Sequence, residues 1–123
     1  MKYLLILSVF IFFLLGCSTV ELIEASSEEI NQYVSEYKGD QAVLLNIWAT
    51  SCAPCVEEFP MIVQLDNEIN DLKVLFISTD FDDEKYKVSK FLDVQNVNGF
   101  SFIKNERDES FINGLHPQWS GAL

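Results

Sequence analysis

The apolar positions fall into blocks whose spacing changes along the chain. Lys2 is followed by a mostly apolar run from Tyr3 to Leu15. Thr19 to Ala25 alternates weakly, which suits a short strand. Ser26 and Glu29 stand at capping-box spacing. Ile30, Tyr33, Val34 and Tyr37 then recur at helical intervals, with Gly39 as a stop. From Ala42 to Trp48 the chain is apolar except for Asn46, the pattern of a strand buried on both faces of a sheet. Val56, Phe59, Ile62, Val63, Leu65 and Ile69 supply the apolar positions of a following helix. Leu72 to Ser78 reads as a second buried strand. Asp82 and Asp83 stand where they can cap a third helix carrying Val88, Phe91 and Leu92. After Val97 the signal weakens: Phe100, Phe102 and Ile103 fit a short strand, and Asp108 to Asn113 one helical turn closed by Gly114. The order β-α-β-α-β-α argues for an α/β fold on a parallel sheet.

The length, 123 residues, suits one domain rather than two. Apolar residues make up 49%, too many for a disordered chain. The formal net charge of -11 sets the surface against phosphate backbones, which excludes nucleic acid as a partner. It also opposes attraction to anionic lipid headgroups, so contact with a membrane requires an anchor.

The beginning of the chain supplies one. A positive start and an apolar core shorter than the roughly 20 residues that span a bilayer read as a secretory signal. The run ends in Leu14-Leu15-Gly16-Cys17, which resembles the bacterial lipobox. That resemblance implies cleavage before Cys17 and lipid attachment to its sulfur. Residues 1–16 are then a signal peptide, 17–25 an anchor and linker, and 26–123 the folded domain. An uncleaved anchor helix with an incidental Cys17 is the competing reading. Both put the domain outside the cytoplasmic membrane, in the bacterial cell envelope facing the periplasm or exterior, where disulfides persist. The lipid anchor accounts for the odd cysteine, since the chain has three.

The other two, Cys52 and Cys55, lie where a buried strand ends and a helix begins. Attack on a disulfide requires thiolate, and a free cysteine with pKa about 8.5 is mostly protonated at neutral pH. The free N–H groups and dipole of a helix N-terminus stabilise an anion there. Cys52 at the helix mouth is the expected attacking thiolate, and Cys55, a turn inside, the resolving thiol. Pro54 suits the first helical turn, because its missing N–H leaves nothing unsatisfied. Two other roles compete. Half of a zinc site is one, but only His116 remains as a strong further ligand and a structural site takes four. An inert staple is the other, although closing so small a ring removes little chain entropy.

The stretch from Asn46 to Pro60, Asn-Ile-Trp-Ala-Thr-Ser-Cys-Ala-Pro-Cys-Val-Glu-Glu-Phe-Pro, resembles the active-site segment of the thioredoxin superfamily, nearest its TlpA/ResA-like membrane-anchored reductases. The resemblance implies a thioredoxin-like sheet flanked by helices and an extracytoplasmic thiol–disulfide oxidoreductase. Such an enzyme uses no cofactor or metal, acts on protein thiols and disulfides such as those of apocytochrome c, and draws on a membrane electron donor. Trp48 matches the tryptophan that shields the sulfurs, with plain core packing as its other role. Pro60 matches the proline that kinks the active-site helix, a kink its missing N–H predicts independently. Asn46 stands where cytoplasmic thioredoxins carry a buried aspartate. Glu58 matches a glutamate close to the site; partly buried beside the sulfurs, it would relay a proton to or from Cys55. An ordinary solvated helix glutamate is the alternative. Ser51 departs from the aromatic residue many relatives carry before the first cysteine.

The family also has a cis-proline loop against the cysteines, two further antiparallel strands and a last helix. The only prolines here are Pro54, Pro60 and Pro117, and the sequence stops at Gly121-Ala122-Leu123. The expectation is a truncated chain lacking the cis-proline hairpin and last helix, with the strand Ala42 to Trp48 left unpaired on one side. Two functional readings therefore stand beside the enzyme: a lipoprotein binding module, and an inactive remnant.

Overall fold

The structure, a computed structural model, describes residues 19–123. The proposed leader and Cys17 lie outside the described residues. Four strands and four helices alternate: β1 (Glu21–Ala25), α1 (Ser27–Ser35), β2 (Ala42–Trp48), α2 (Ala53–Glu68), β3 (Leu72–Ser78), α3 (Lys85–Val94), β4 (Phe100–Lys104) and α4 (Asp108–Leu115). The strands form one parallel sheet in the order β1-β4-β3-β2.

Alternate residues of β3 point to opposite faces and build two cores. Val74 and Phe76 join Trp48, Phe59, Val63, Val88 and Leu92, so α2 and α3 cover one face. Leu75 and Ile77 join Ala25, Ile30, Phe102, Phe111 and Leu115, so α1 and α4 cover the other. The α/β sandwich and its parallel sheet agree with the sequence pattern. Among the described residues, no helix is long and apolar enough to cross a membrane.

The local signals succeed in part. The Ser26 hydroxyl accepts the Glu29 N–H at 3.3 Å, and the Glu29 carboxylate accepts the Ser26 N–H at 2.8 Å, closing the capping box. Asp82 and Asp83 do not cap α3 through their side chains. They form a short 3-10 turn before it (Asp82–Glu84), and Asp82 pairs with Lys85 at 2.6 Å. Gly114 does not close the last helix, which runs on to Leu115. Its missing side chain serves packing instead. A Cβ there would run into Ser27 Oγ and approach Ser27 Cβ to 3.0 Å, so glycine lets α4 lie against α1.

The strand β2 is less buried than its composition suggests. Val43 to Ile47 are half-buried, whereas Val74 to Ser78 of β3 are buried throughout. The topology explains the contrast: β3 lies between two strands, while β2 has β3 as its one neighbour among the described residues. This open edge is the one expected for the strand that leads to the cysteines. No cis peptide bond occurs among the described residues.

Candidate functional site

The pair sits at the C-terminal end of the sheet. The strand β2 delivers Trp48, the chain turns through Ala49-Thr50-Ser51, and α2 starts at Ala53. The turn is closed by the Cys52 N–H donating to the Ala49 carbonyl at 3.1 Å. Cys52 is the N-cap of α2 in extended conformation, and its sulfur accepts the Cys55 N–H at 3.4 Å. A sulfur here fills the place that a serine or aspartate oxygen takes in most helices, satisfying an otherwise free donor of the first turn. Cys52 and Cys55 are joined as a disulfide, with Cα atoms 5.3 Å apart. Both are half-buried, so the bond is open to an incoming thiol.

The floor of the site is aromatic. Trp48 is fully buried, with ring centroids 4.8 Å from both Phe59 and Phe91, and Cys55 packs against the same cluster. Trp48 is therefore a core residue whose cluster reaches the second sulfur, which joins the two roles considered for it. Its indole Nε1 is buried with no hydrogen-bond partner among the described residues. Pro54 lies in the first turn of α2. Pro60 stands inside α2, exposed, without ending the helix. Asn46 is half-buried in the middle of β2, opposite Phe76 in the ladder.

Glu58 is exposed, not partly buried beside the sulfurs as expected. The helix α2 buries the face bearing Phe59 and Val63 and leaves Glu57 and Glu58 in water. His116 is exposed and follows α4 as its C-cap, where its Nδ1 accepts the Gln118 N–H at 3.2 Å. It is a loop residue, and among the described residues no three His, Cys, Asp or Glu side chains converge to hold a metal ion.

Two residues escape a reading by pattern. Asp80 is 4% exposed, and its carboxylate accepts the Thr50 N–H at 3.0 Å, the Thr50 hydroxyl at 2.6 Å and the Ser78 hydroxyl at 2.7 Å. The β2–β3 register sets Trp48 opposite Ser78. Continued two residues, the same register sets Thr50 opposite Asp80. The signal in the sequence is a polar Ser-Thr-Asp run at the end of a buried strand, but only the register says which turn it meets. Beside the pair, a groove of about 270 Å³ is lined by Ala49, Ser51, Phe81, Asp108, Ile112 and Trp119. Ser51, the departure from the family pattern, thus contributes to a surface next to Cys52.

A parallel α/β sheet that presents a Cys-x-x-Cys pair on the first turn of a strand-following helix is the architecture of a thiol–disulfide oxidoreductase. The profile of the thioredoxin family matches residues 21–119, and the chain belongs to that family. It is 34% identical over 70 residues to the thiol-disulfide oxidoreductase ResA of Oceanobacillus iheyensis; that match covers 54% of this chain and 36% of the relative. It is 29% identical over 93 residues to a thioredoxin of Ictalurus punctatus, covering 74% of this chain and 86% of the relative. A thioredoxin of Malassezia sympodialis is 26% identical over 87 residues, covering 71% and 82%. The chain thus spans about a third of the ResA protein and most of the length of the two thioredoxins. No solved structure matches significantly.

Proposed function

We propose that this chain is an extracytoplasmic thiol–disulfide oxidoreductase, lipid-anchored through Cys17, that reduces or exchanges disulfides in exported proteins. The Cys52 thiolate attacks one sulfur of a substrate disulfide, and the other substrate sulfur leaves as a thiolate. Cys55 then attacks the Cys52 sulfur and breaks the mixed bond. The products are the Cys52–Cys55 disulfide and a substrate dithiol, so two electrons pass to the substrate. A membrane electron donor returns the pair to the dithiol. Protein disulfides, those of apocytochrome c included, are the substrate class that the resemblance to ResA-like proteins suggests.

One observation carries the exchange chemistry: the Cys52 sulfur is the N-cap of α2 and receives the Cys55 N–H. A donor aimed at a sulfur favours its anion, which is what an attacking group needs. The location rests on other grounds, the apolar run Tyr3 to Leu15 and the Leu-Leu-Gly-Cys stretch at Cys17.

Alkylation of the reduced protein by iodoacetamide tests the chemistry. At pH 6 the Cys52 peptide should be modified much faster than a free thiol, and Cys55 slowly. The Cys55→Ser variant should trap mixed disulfides on Cys52 in cells. An ordinary rate at Cys52 together with no adduct would refute exchange. Metabolic labelling with a fatty acid, lost in Cys17→Ser, tests the anchor separately.

A further inference from the structure

Asp80 is a buried acid that the exchange steps do not use. Its surroundings are those that suit a carboxylate. Three donors point at its two oxygens, from the Thr50 N–H, the Thr50 hydroxyl and the Ser78 hydroxyl, and its own N–H donates to Ser78 Oγ at 3.0 Å. A carboxylate is an acceptor only, and donors converging on both oxygens are the partners of its charged form. Two cations line the cleft that Asp80 shares: Lys104, which pairs with Asp108 at 2.9 Å, and Arg107, which makes no ion pair among the described residues. Glu24, Asp82, Glu106 and Asp108 line the same cleft and share the charge sign of Asp80, so acids outnumber cations around it.

Thr50 is the second residue of the turn that ends on Cys52. Backbone geometry bounds the Thr50-to-Cys52 separation at about 7 Å between Cα atoms, so the carboxylate lies within roughly 10 Å of Cys52. We propose that Asp80 is a positioning residue for the redox pair: its carboxylate clamps the turn that presents Cys52, and its charge opposes the Cys52 thiolate and keeps the pair reducing. The proposal rests on the exchange reading. The sign follows from what each redox state carries. The disulfide has no charge for Asp80 to act on, whereas the dithiol form holds an anion. Repulsion between the two destabilises the reduced form and lowers the reduction potential.

Asp80→Asn keeps the shape and an acceptor while removing the charge. At the separation above, between protein and solvent dielectric, it should raise the acid dissociation constant of Cys52 about three- to tenfold. The equilibrium with glutathione, measured where Cys52 is a thiolate, should move toward the dithiol by the same factor, about 14–30 mV at 29.6 mV per decade. The first quantity is read from the pH dependence of iodoacetamide alkylation at the Cys52 peptide, the second from the fraction oxidised in glutathione buffers. A purely structural aspartate would move neither in a variant that still melts cooperatively. A second variant, Asp80→Glu, keeps the charge and should leave the Cys52 profile and the glutathione equilibrium close to those of the parent. An unchanged Cys52 profile in folded Asp80→Asn, or a shift in Asp80→Glu as large as that in Asp80→Asn, overturns the proposal. A pair that never equilibrates with glutathione sinks the exchange reading instead, and the Cys52 profiles still decide on the coupling.

Discussion

Phe59→Ala is the substitution that most directly tests how the core holds the cysteine pair. Phe59 is fully buried, with ring centroids 4.8 Å from Trp48 and 4.9 Å from both Phe76 and Phe91. Truncation removes three aromatic contacts and leaves a cavity between α2, α3 and the sheet. A buried Phe→Ala change costs about 3–5 kcal/mol, against a total of about 5–15 kcal/mol for a domain. At about 4–8 °C per kcal/mol in a domain of this size, the melting temperature should fall by about 12–40 °C. Phe59→Leu fills much of the space and should cost roughly 1–2 kcal/mol, since volume-conserving swaps are tolerated best. The loss should also reach the site unevenly. Phe59 lies four residues after Cys55, on the same side of the helix, whereas Cys52 precedes the first turn. In reduced Phe59→Ala, alkylation of Cys55 should therefore accelerate more than that of Cys52. Urea melts followed by circular dichroism give the stability, and peptide mapping gives the two rates. A loss below about 1 kcal/mol with an unchanged urea slope would mean that this cluster is not packed as described, and the account of Cys55 burial would fall with it.

Gly114→Ala should destabilise by about 1–3 kcal/mol, because the added methyl meets Ser27 and α1 must shift; a neutral result in a urea melt would refute the close approach. The hydrogen bond from the Ser26 N–H, with that from its hydroxyl, holds the Glu29 carboxyl below its usual value of 4.5. The stability it contributes is present above that value and lost as pH falls through the lowered one, so acid unfolding of Ser26→Ala should show less pH dependence in this range than the parent. Burial, with the Tyr37 hydroxyl bond, pushes Tyr33 up to about 12 from 10.0, so its neutral form belongs to the folded state. Stability should decline as pH rises between those values, and Tyr33→Phe should make that decline shallower; Lys85, held above its usual 10.5 by the Asp82 and Glu24 carboxylates, contributes the same sign and stays. The edge of β2 that is unpaired among the described residues should make this 123-residue chain associate with rising concentration; a strict monomer by light scattering up to millimolar concentration would argue against an accessible edge.

How legible each element was depended on whether its cause was local. The runs Ala42–Trp48 and Leu72–Ser78 could be bounded to the residue because each is apolar but for one interior polar residue, Asn46 or Lys73, and gives way within two residues to a polar turn. The Ser26–Glu29 box is local by construction. What the pattern misplaced was set by contacts between distant segments. Gly114 looked like a stop signal, yet it lies inside α4 because Ser27, far away in sequence, requires its small size. The aspartates before α3 had the composition of caps, but Asp82 found Lys85 within its own turn. Composition marked β2 as buried on both faces, yet Val43 to Ile47 are half-buried, because β3 is its one neighbour among the described residues. At the site, the cysteines were visible from spacing and type, and Trp48 from the resemblance to the family segment. Of the two readings of Glu58, the solvated helix glutamate is the one its exposure fits, because the orientation of α2 is fixed by Phe59 and Val63. Asp80 was missed because nothing short of the ladder register pairs it with Thr50.

The spacing of the two cysteines can itself be derived from the cap. The N-cap side chain of a helix satisfies the N–H of the second or third residue inside it. With Cys52 as N-cap, the third residue is Cys55, whose N–H donates to the Cys52 sulfur, while the next N–H, of Val56, already donates to the Cys52 carbonyl at 3.1 Å. The donor that stabilises the attacking sulfur therefore belongs to the backbone of the resolving residue. One residue more between the cysteines would place the second sulfur on a residue whose N–H is committed to the helix ladder, and the cap donor would sit on a bystander. One residue fewer would draw the second sulfur back toward the helix mouth, away from the Trp48 and Phe59 cluster that now holds it. Reach between the sulfurs, stabilisation of the first and retention of the second are met together when two residues intervene, and that is why a pair at this place in the fold reads as chemistry rather than as a staple.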